Sequence, residues 1–190
     1  MNDKLFKRNK GCELDVDWVM SQSANTSAIE RRAATLGTRR SIKKDHQAAW
    51  LLRAISCIDL TTLSGDDTPG RVKRLCTKAI RPIRPDLTKA LGINNLHVGA
   101  ICVYHEMIET AIAALGNSGI PVAAVSTGFP AGLSPLTTRL LEINESVLAG
   151  AKEIDIVISR RHVLTQNWQE LFNEVKAFRS ACGEAHLKTI

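Results

Sequence analysis

Five short, near-continuous apolar runs begin near residues 55, 97, 121, 153 and 186 of a 190-residue chain. They read ISCIDLTTL, LHVGAICVY, PVAAVSTGF, EIDIVIS and HLKTI. Apolar side chains at successive rather than alternate positions are what a strand covered on both faces requires. Between the runs lie segments long enough to return the chain through a crossover helix. These are RVKRLCTKAI after the turn SGDDTPG, HEMIETAIAALGNSG, LTTRLLEINESVLAG closed by Gly150, and roughly residues 167–182. Repeated strand–helix units of this kind specify a parallel α/β architecture. Two closures fit: an open, doubly wound sheet or a (β/α)8 barrel. No GxGxxG follows the first run and no GxxxxGK[ST] occurs, so the standard dinucleotide and P-loop readings lose support.

Residues 1–54 have a different texture and predict a peripheral helical extension, with residues 55–190 as the sheet-forming domain. LDVDWVM is short and amphipathic, and SANTSAIERRAATLG offers caps, apolar residues at helical spacing and Gly37 as a stop. SIKKDHQAAWLLRA predicts a stronger helix, whose Ala, Trp and Leu content suggests that it packs on something.

Charge is uneven between the halves. Residues 1–95 hold 18 Lys+Arg against 10 Asp+Glu, or +8; residues 96–190 hold 7 against 9, or −2. A basic half invites a nucleic-acid reading. Its basic residues are scattered, however, and aromatic residues make up only 4% of the chain. Base-stacking platforms are therefore not expected, and solvated helix faces with a site for a small anion are the better reading. With 44% hydrophobic residues the chain can bury a core. No run approaches the roughly 18 apolar residues of a membrane span. Cys12, Cys57, Cys76, Cys102 and Cys182 are widely spaced without a CxxC pair, which suggests reduced thiols. MNDKLFKRNKGCELD lacks an apolar segment of signal-peptide length, so the cytoplasm is the expected location.

The informative positions are polar residues inside the apolar runs. Asp155 stands among Ile154, Ile156, Val157 and Ile158, where a carboxylate is costly unless paired. Lys188 in HLKTI falls on the adjacent predicted strand, and a lysine beside a carboxylate can have its pKa tuned for proton transfer. Asp59 either braces the SGDDT turn or serves the site. Cys102 either fills the core or lines a pocket. His105, His162 and His186 lack metal-ligand spacing and are expected at the surface or in loops, and no metal site is expected. Ser64, Ser126 and Ser134 sit in no GxSxG elbow.

IDLTTLSGDDT, AICVY, VSTGFPAG, EIDIVIS and ACGEAHLKTI, in this order, resemble the deoxyribose-phosphate aldolase family. The N-terminal RRAATLGTRRSIKKDHQAAWLLRAI is similar to its animal-type members. The resemblance implies a (β/α)8 TIM barrel, represented by about its first four βα units and the start of strand five behind the N-terminal helical extension. It implies a class I aldolase, without metal or cofactor, that reversibly cleaves 2-deoxyribose 5-phosphate to glyceraldehyde 3-phosphate and acetaldehyde. A lysine of such an enzyme forms a Schiff base with the aldehyde. By the same resemblance Asp155 shuttles protons with an ordered water and Lys188 supports the site electrostatically. Asp59 and Thr61 lie near the substrate, while Cys102 and Phe129 line its pocket. The implied partner is a small phosphorylated sugar, with no nucleic acid or membrane.

Two departures stand out. His105 occupies a position where the family usually has proline. None of the eleven lysines lies in a motif like that of the family's Schiff-base lysine, so none is assigned that role. The expectation is therefore a C-terminally truncated aldolase that is inactive as the 190-residue chain. The alternative is an inactive product that serves only as a binding or remnant protein. Unpaired strand edges at 55–63 and 186–190 predict poor solubility or homo-oligomers.

Overall fold

The computed structural model describes residues 11–39 and 41–190. The first ten residues, on which part of the N-terminal reading rests, and Arg40 lie outside them. Five strands form one parallel sheet: β1 (Asp59–Thr61), β2 (Ala100–Val103), β3 (Val122–Ser126), β4 (Glu153–Ile156) and β5 (His186–Thr189). Their spatial order is their chain order. A doubly wound sheet reverses direction at a switch point; this sheet does not. Successive strands added on one side are the winding of a barrel.

The helices between the strands are α4 (Pro69–Ile80), α5 (Pro85–Ala90), α6 (Ile108–Leu115), α7 (Leu136–Leu148), α8 (Arg160–Leu164) and α9 (Trp168–Ala181). Local chemistry explains where they begin. Thr68 caps α4 by accepting from Arg71 N, with Pro69 in the first turn. Asn167 caps α9 through Glu170 N. The sequence did not anticipate α5 or α8, which are too short to show helical periodicity.

The core lies on one side of the sheet. Ile101, Val103, Val122, Ala124, Ile154 and Ile156 meet Val72, Cys76, Ala79 of α4, Ile108, Ala111 and Leu115 of α6, Ile143 of α7 and Phe178 of α9. Every residue of β2 and β3 is buried, as the continuous apolar runs predicted. The edge strands β1 and β5 have no buried residue.

A buried ion pair ties the helix layer to the end of β4. Arg139 Nη2 of α7 donates to Glu174 Oε2 of α9 at 2.9 Å. Glu174 also accepts from the Ser159 amide at 2.7 Å and hydroxyl at 2.5 Å. These bonds and the Arg139 charge hold the Glu174 carboxyl below its usual range although burial pushes it up.

Ahead of the sheet lie α1 (Val16–Ser21), α2 (Thr26–Ala34) and α3 (Lys44–Ile55). Asp15 caps α1 and Asn25 caps α2. The expectation that the third helix packs on something is not met. No residue of α3 is buried, and Trp50 is 62% exposed. Only Ile55 at its end packs against the core. The apolar content of this helix records its composition rather than a covered face.

Candidate functional site

Side chains paired across a parallel sheet point to the same side, so the register decides which residues share the face opposite the helices. Asp59 pairs with Ala100 and Thr61 with Cys102. Cys102 pairs with Ala123. Ala123 and Val125 pair with Glu153 and Asp155, which pair with His186 and Lys188. The period of two along each strand therefore collects the acids and the lysine on one face.

Lys188 is the centre of this face. Its Nζ lies 2.9 Å from Glu153 Oε2 and 3.1 Å from Asp155 Oδ1, and it donates to Asp59 Oδ2. Burial disfavours its charge, but the hydrogen bonds to Asp59 and Glu153 and the charge of Asp155 outweigh this and raise its pKa. Lys188 is thus held as an ammonium and is a poor nucleophile as it stands.

Asp155 is the deepest acid of the cluster, 7% exposed. Burial raises its pKa against the opposing pull of Lys188. Its two oxygens differ. Oδ2 accepts from Cys102 Sγ at 3.6 Å, whereas Oδ1 is buried and accepts no well-directed hydrogen bond among the described residues. The Lys188 contact to Oδ1 is therefore an ion pair rather than an aligned hydrogen bond. A buried carboxyl with a raised pKa, whose inner oxygen is held by an ion pair alone, is equipped to exchange a proton with a bound molecule.

Cys102 is 3% exposed, and burial together with the Asp155 charge pushes its thiol up to about 12. It is a neutral wall of the site. Thr61 stands opposite it and donates from Oγ1 to Asp59 O at 2.8 Å. Cys102, Ala123 and Val125 form a small apolar cluster with Leu63, Tyr104 and Phe129. The Phe129 ring meets Tyr104 edge-on at 5.9 Å.

The turn that carries Phe129 is shaped by glycines. Gly128 has φ +76°, and a Cβ there would lie 2.9 Å from Ser134 Oγ. At Gly132, φ +70°, a Cβ would lie 2.7 Å from Val157 Cγ1, so the loop can pass against the residue just after β4 only without a side chain.

The structure thus brings together Asp155, Lys188 and Asp59, with Cys102 and Thr61 beside them and Phe129 in the adjoining apolar cluster. It places Asp59 beside Lys188 and not in the turn. The SGDDT turn is braced by Asp67, which accepts from Thr62 Oγ1 at 2.8 Å and Ser64 N at 3.1 Å; Asp59 faces Lys188. Sequence reasoning missed Glu153. Its signal was a second acid two residues before Asp155, a spacing that places both on one strand face. Tyr104 was also missed, its ring hidden in a run read as a strand. His105 lies in the turn after β2, half-buried, with its Nε2 3.3 Å from Glu142 Oε1. Among the described residues no group of three or more His, Cys, Asp or Glu is arranged to hold a metal ion. No described helix is long and apolar enough to cross a membrane.

The profile of the DeoC/LacD family aldolases matches residues 53–190. Over 98% of its length the chain is 52% identical to the deoxyribose-phosphate aldolase of Bos taurus, and over 95% it is 54% identical to that of Mus musculus. It spans 60% and 58% of those relatives. The structure of the deoxyribose phosphate aldolase from Aeropyrum pernix, a tetramer, superposes with a TM-score of 0.52 at 23% identity. That match covers 73% of this chain and 52% of the other, and is a likeness of fold.

Proposed function

The chain belongs to the DeoC/LacD aldolase family, and on that premise we propose that it supplies the proton-transfer part of a deoxyribose-phosphate aldolase site. The reaction is the reversible cleavage of 2-deoxyribose 5-phosphate to glyceraldehyde 3-phosphate and acetaldehyde, through a Schiff base to a lysine that we assign to none of the eleven present. The observation that carries this reading is Asp155: buried, with its pKa raised, and with Oδ1 held by the Lys188 ion pair at 3.1 Å rather than by an aligned hydrogen bond.

In this reading Asp155 Oδ1 takes a proton from, or returns it to, the reacting carbon or a water beside it. Lys188 stabilises the carboxylate when the proton has left. Asp59 and Thr61 border the substrate, and Cys102 and Phe129 form the apolar wall that keeps bulk water from the reacting end. Residues 55–190 form the aldolase unit and residues 1–54 an appended extension. The family match starting at residue 53 supports that division. Scattered cysteines favour a reducing compartment, and so the cytoplasm. Assembly into homo-oligomers is part of the proposal, supported by the tetrameric relative.

The test is a chimera joining this chain to the part of the bovine relative that it does not match. Cleavage of 2-deoxyribose 5-phosphate is expected, with an adduct trapped by borohydride and acetaldehyde. A folded chimera without cleavage would overturn the assignment.

A further inference from the structure

The turn holding Phe129 is fastened by a chain of contacts that the proposed chemistry does not use. Gly128 N donates to Glu142 Oε2 at 2.7 Å, across from the sheet to α7. The other oxygen of the same carboxylate lies 3.3 Å from His105 Nε2, in the 3₁₀ turn His105–Met107 after β2. His105 Nδ1 is 3.5 Å from Ser146 Oγ, one helical turn further along α7. Tyr104, next to His105, touches the Phe129 ring. Two loops at the same end of the sheet are thus joined through one carboxylate, and both carry an aromatic ring of the apolar wall.

We propose that His105 and Glu142 are positioning residues, a latch that holds the Gly128–Phe129 turn and so sets the aromatic wall of the site. This rests on the reading of Phe129 as a wall of that site. A carboxylate bound to a backbone amide fixes the turn more firmly than a neutral acceptor would. The His105 ring meets the same carboxylate from its other side, Nε2 lying 3.3 Å from Oε1.

The experiment is nuclear magnetic resonance on the full chain without substrate, so its outcome is independent of the aldolase assignment. In His105→Gln the Gly128 amide signal should shift, as the carboxylate that holds it loses its second partner. In Glu142→Gln, Gly128 amide exchange should be at least about tenfold faster, the loss of one charge-assisted hydrogen bond. Fluorotyrosine at Tyr104, the chain's single tyrosine, should give a shifted fluorine signal in Glu142→Gln as the Phe129 contact loosens. An unchanged Gly128 amide signal in His105→Gln overturns the role of His105. Unchanged exchange or an unchanged fluorine signal in Glu142→Gln overturns the role of Glu142. Should Glu142→Gln not fold, His105→Gln decides the proposal alone.

Discussion

Lys188 and Asp155 stand directly opposite each other on β5 and β4, with Nζ 3.1 Å from Oδ1. The lysine also holds Glu153 and Asp59, so one ammonium offsets three carboxylates. Burial first, with a smaller push from the Asp59 charge, explains why Asp155 is raised, while the three acids keep Lys188 charged.

Removing that ammonium exposes the imbalance. Lys188→Met should destabilise the chain by about 1–3 kcal/mol at pH 7, the range for stranding partly buried polar partners. The loss should shrink as the pH falls and Asp155, whose pKa is raised, takes up its proton. Urea unfolding at pH 7 and pH 4.5 measures both, and an equal loss at both values would contradict the account.

Asp155 can be tested in the chimera described above. Asp155→Asn keeps the shape but cannot exchange a proton, so kcat should fall ~10²–10⁴-fold. Circular dichroism should be unchanged. Retained turnover would make Asp155 a structural acid.

Glu174 predicts the acid limb of stability. Its folded-state pKa is lowered, so its contribution is present above the unfolded carboxyl value near ~4.3. That contribution is lost as the pH falls through the folded value. Glu174→Gln strands Arg139, 5% exposed, and should cost about 3–5 kcal/mol at pH 7. It should also flatten the stability profile below about pH 4.5. A Tm unchanged at pH 7 would show that the pair contributes nothing.

Lys188 sets the alkaline limb with the opposite sign. Its folded-state pKa is raised, so its contribution is complete below the unfolded lysine value near ~10.4. It is lost as the pH rises through the folded value. Tm should therefore fall above about pH 10 in the unaltered chain, and less steeply in Lys188→Met. Parallel alkaline slopes would refute this.

Thiol labelling reads the fold directly. Cys12 and Cys57 are exposed, whereas Cys76, Cys102 and Cys182 are buried. With its thiol at about 12, Cys102 should resist iodoacetamide at pH 8 until the chain unfolds, because the thiolate is the reactive form. Mass spectrometry should find two fast sites among the described cysteines.

The extension offers a contrasting case. Trp50→Ala, at a residue 62% exposed, should change stability by no more than about 0.5 kcal/mol. A loss of 3 kcal/mol or more would mean that α3 is covered in solution.

Much of this was legible in the chain. Continuous apolar runs at β2, β3 and β4 mark buried strands, because a strand covered on both faces has no polar side to present. Asp155 was legible for the same reason, as an acid among four aliphatic neighbours. Glu153 was not, because an acid at the start of a strand looks like a solvated end. Trp50 misled, since an apolar residue states what could be buried, not whether a neighbour is there to bury it.

The order of strand and helix units, the acid on the fourth strand and the lysine on the fifth were determined by sequence alone. They follow from periodicity and from the cost of charge in an apolar run, both local properties. Tertiary structure alone decided that Asp59 reaches Lys188 across 129 residues, that Glu153 joins them, and that His105 meets Glu142. Those contacts depend on which strand pairs with which, and in what register. A shift of one residue in a strand would turn its Asp59, its Glu153 or its Lys188 to the opposite face.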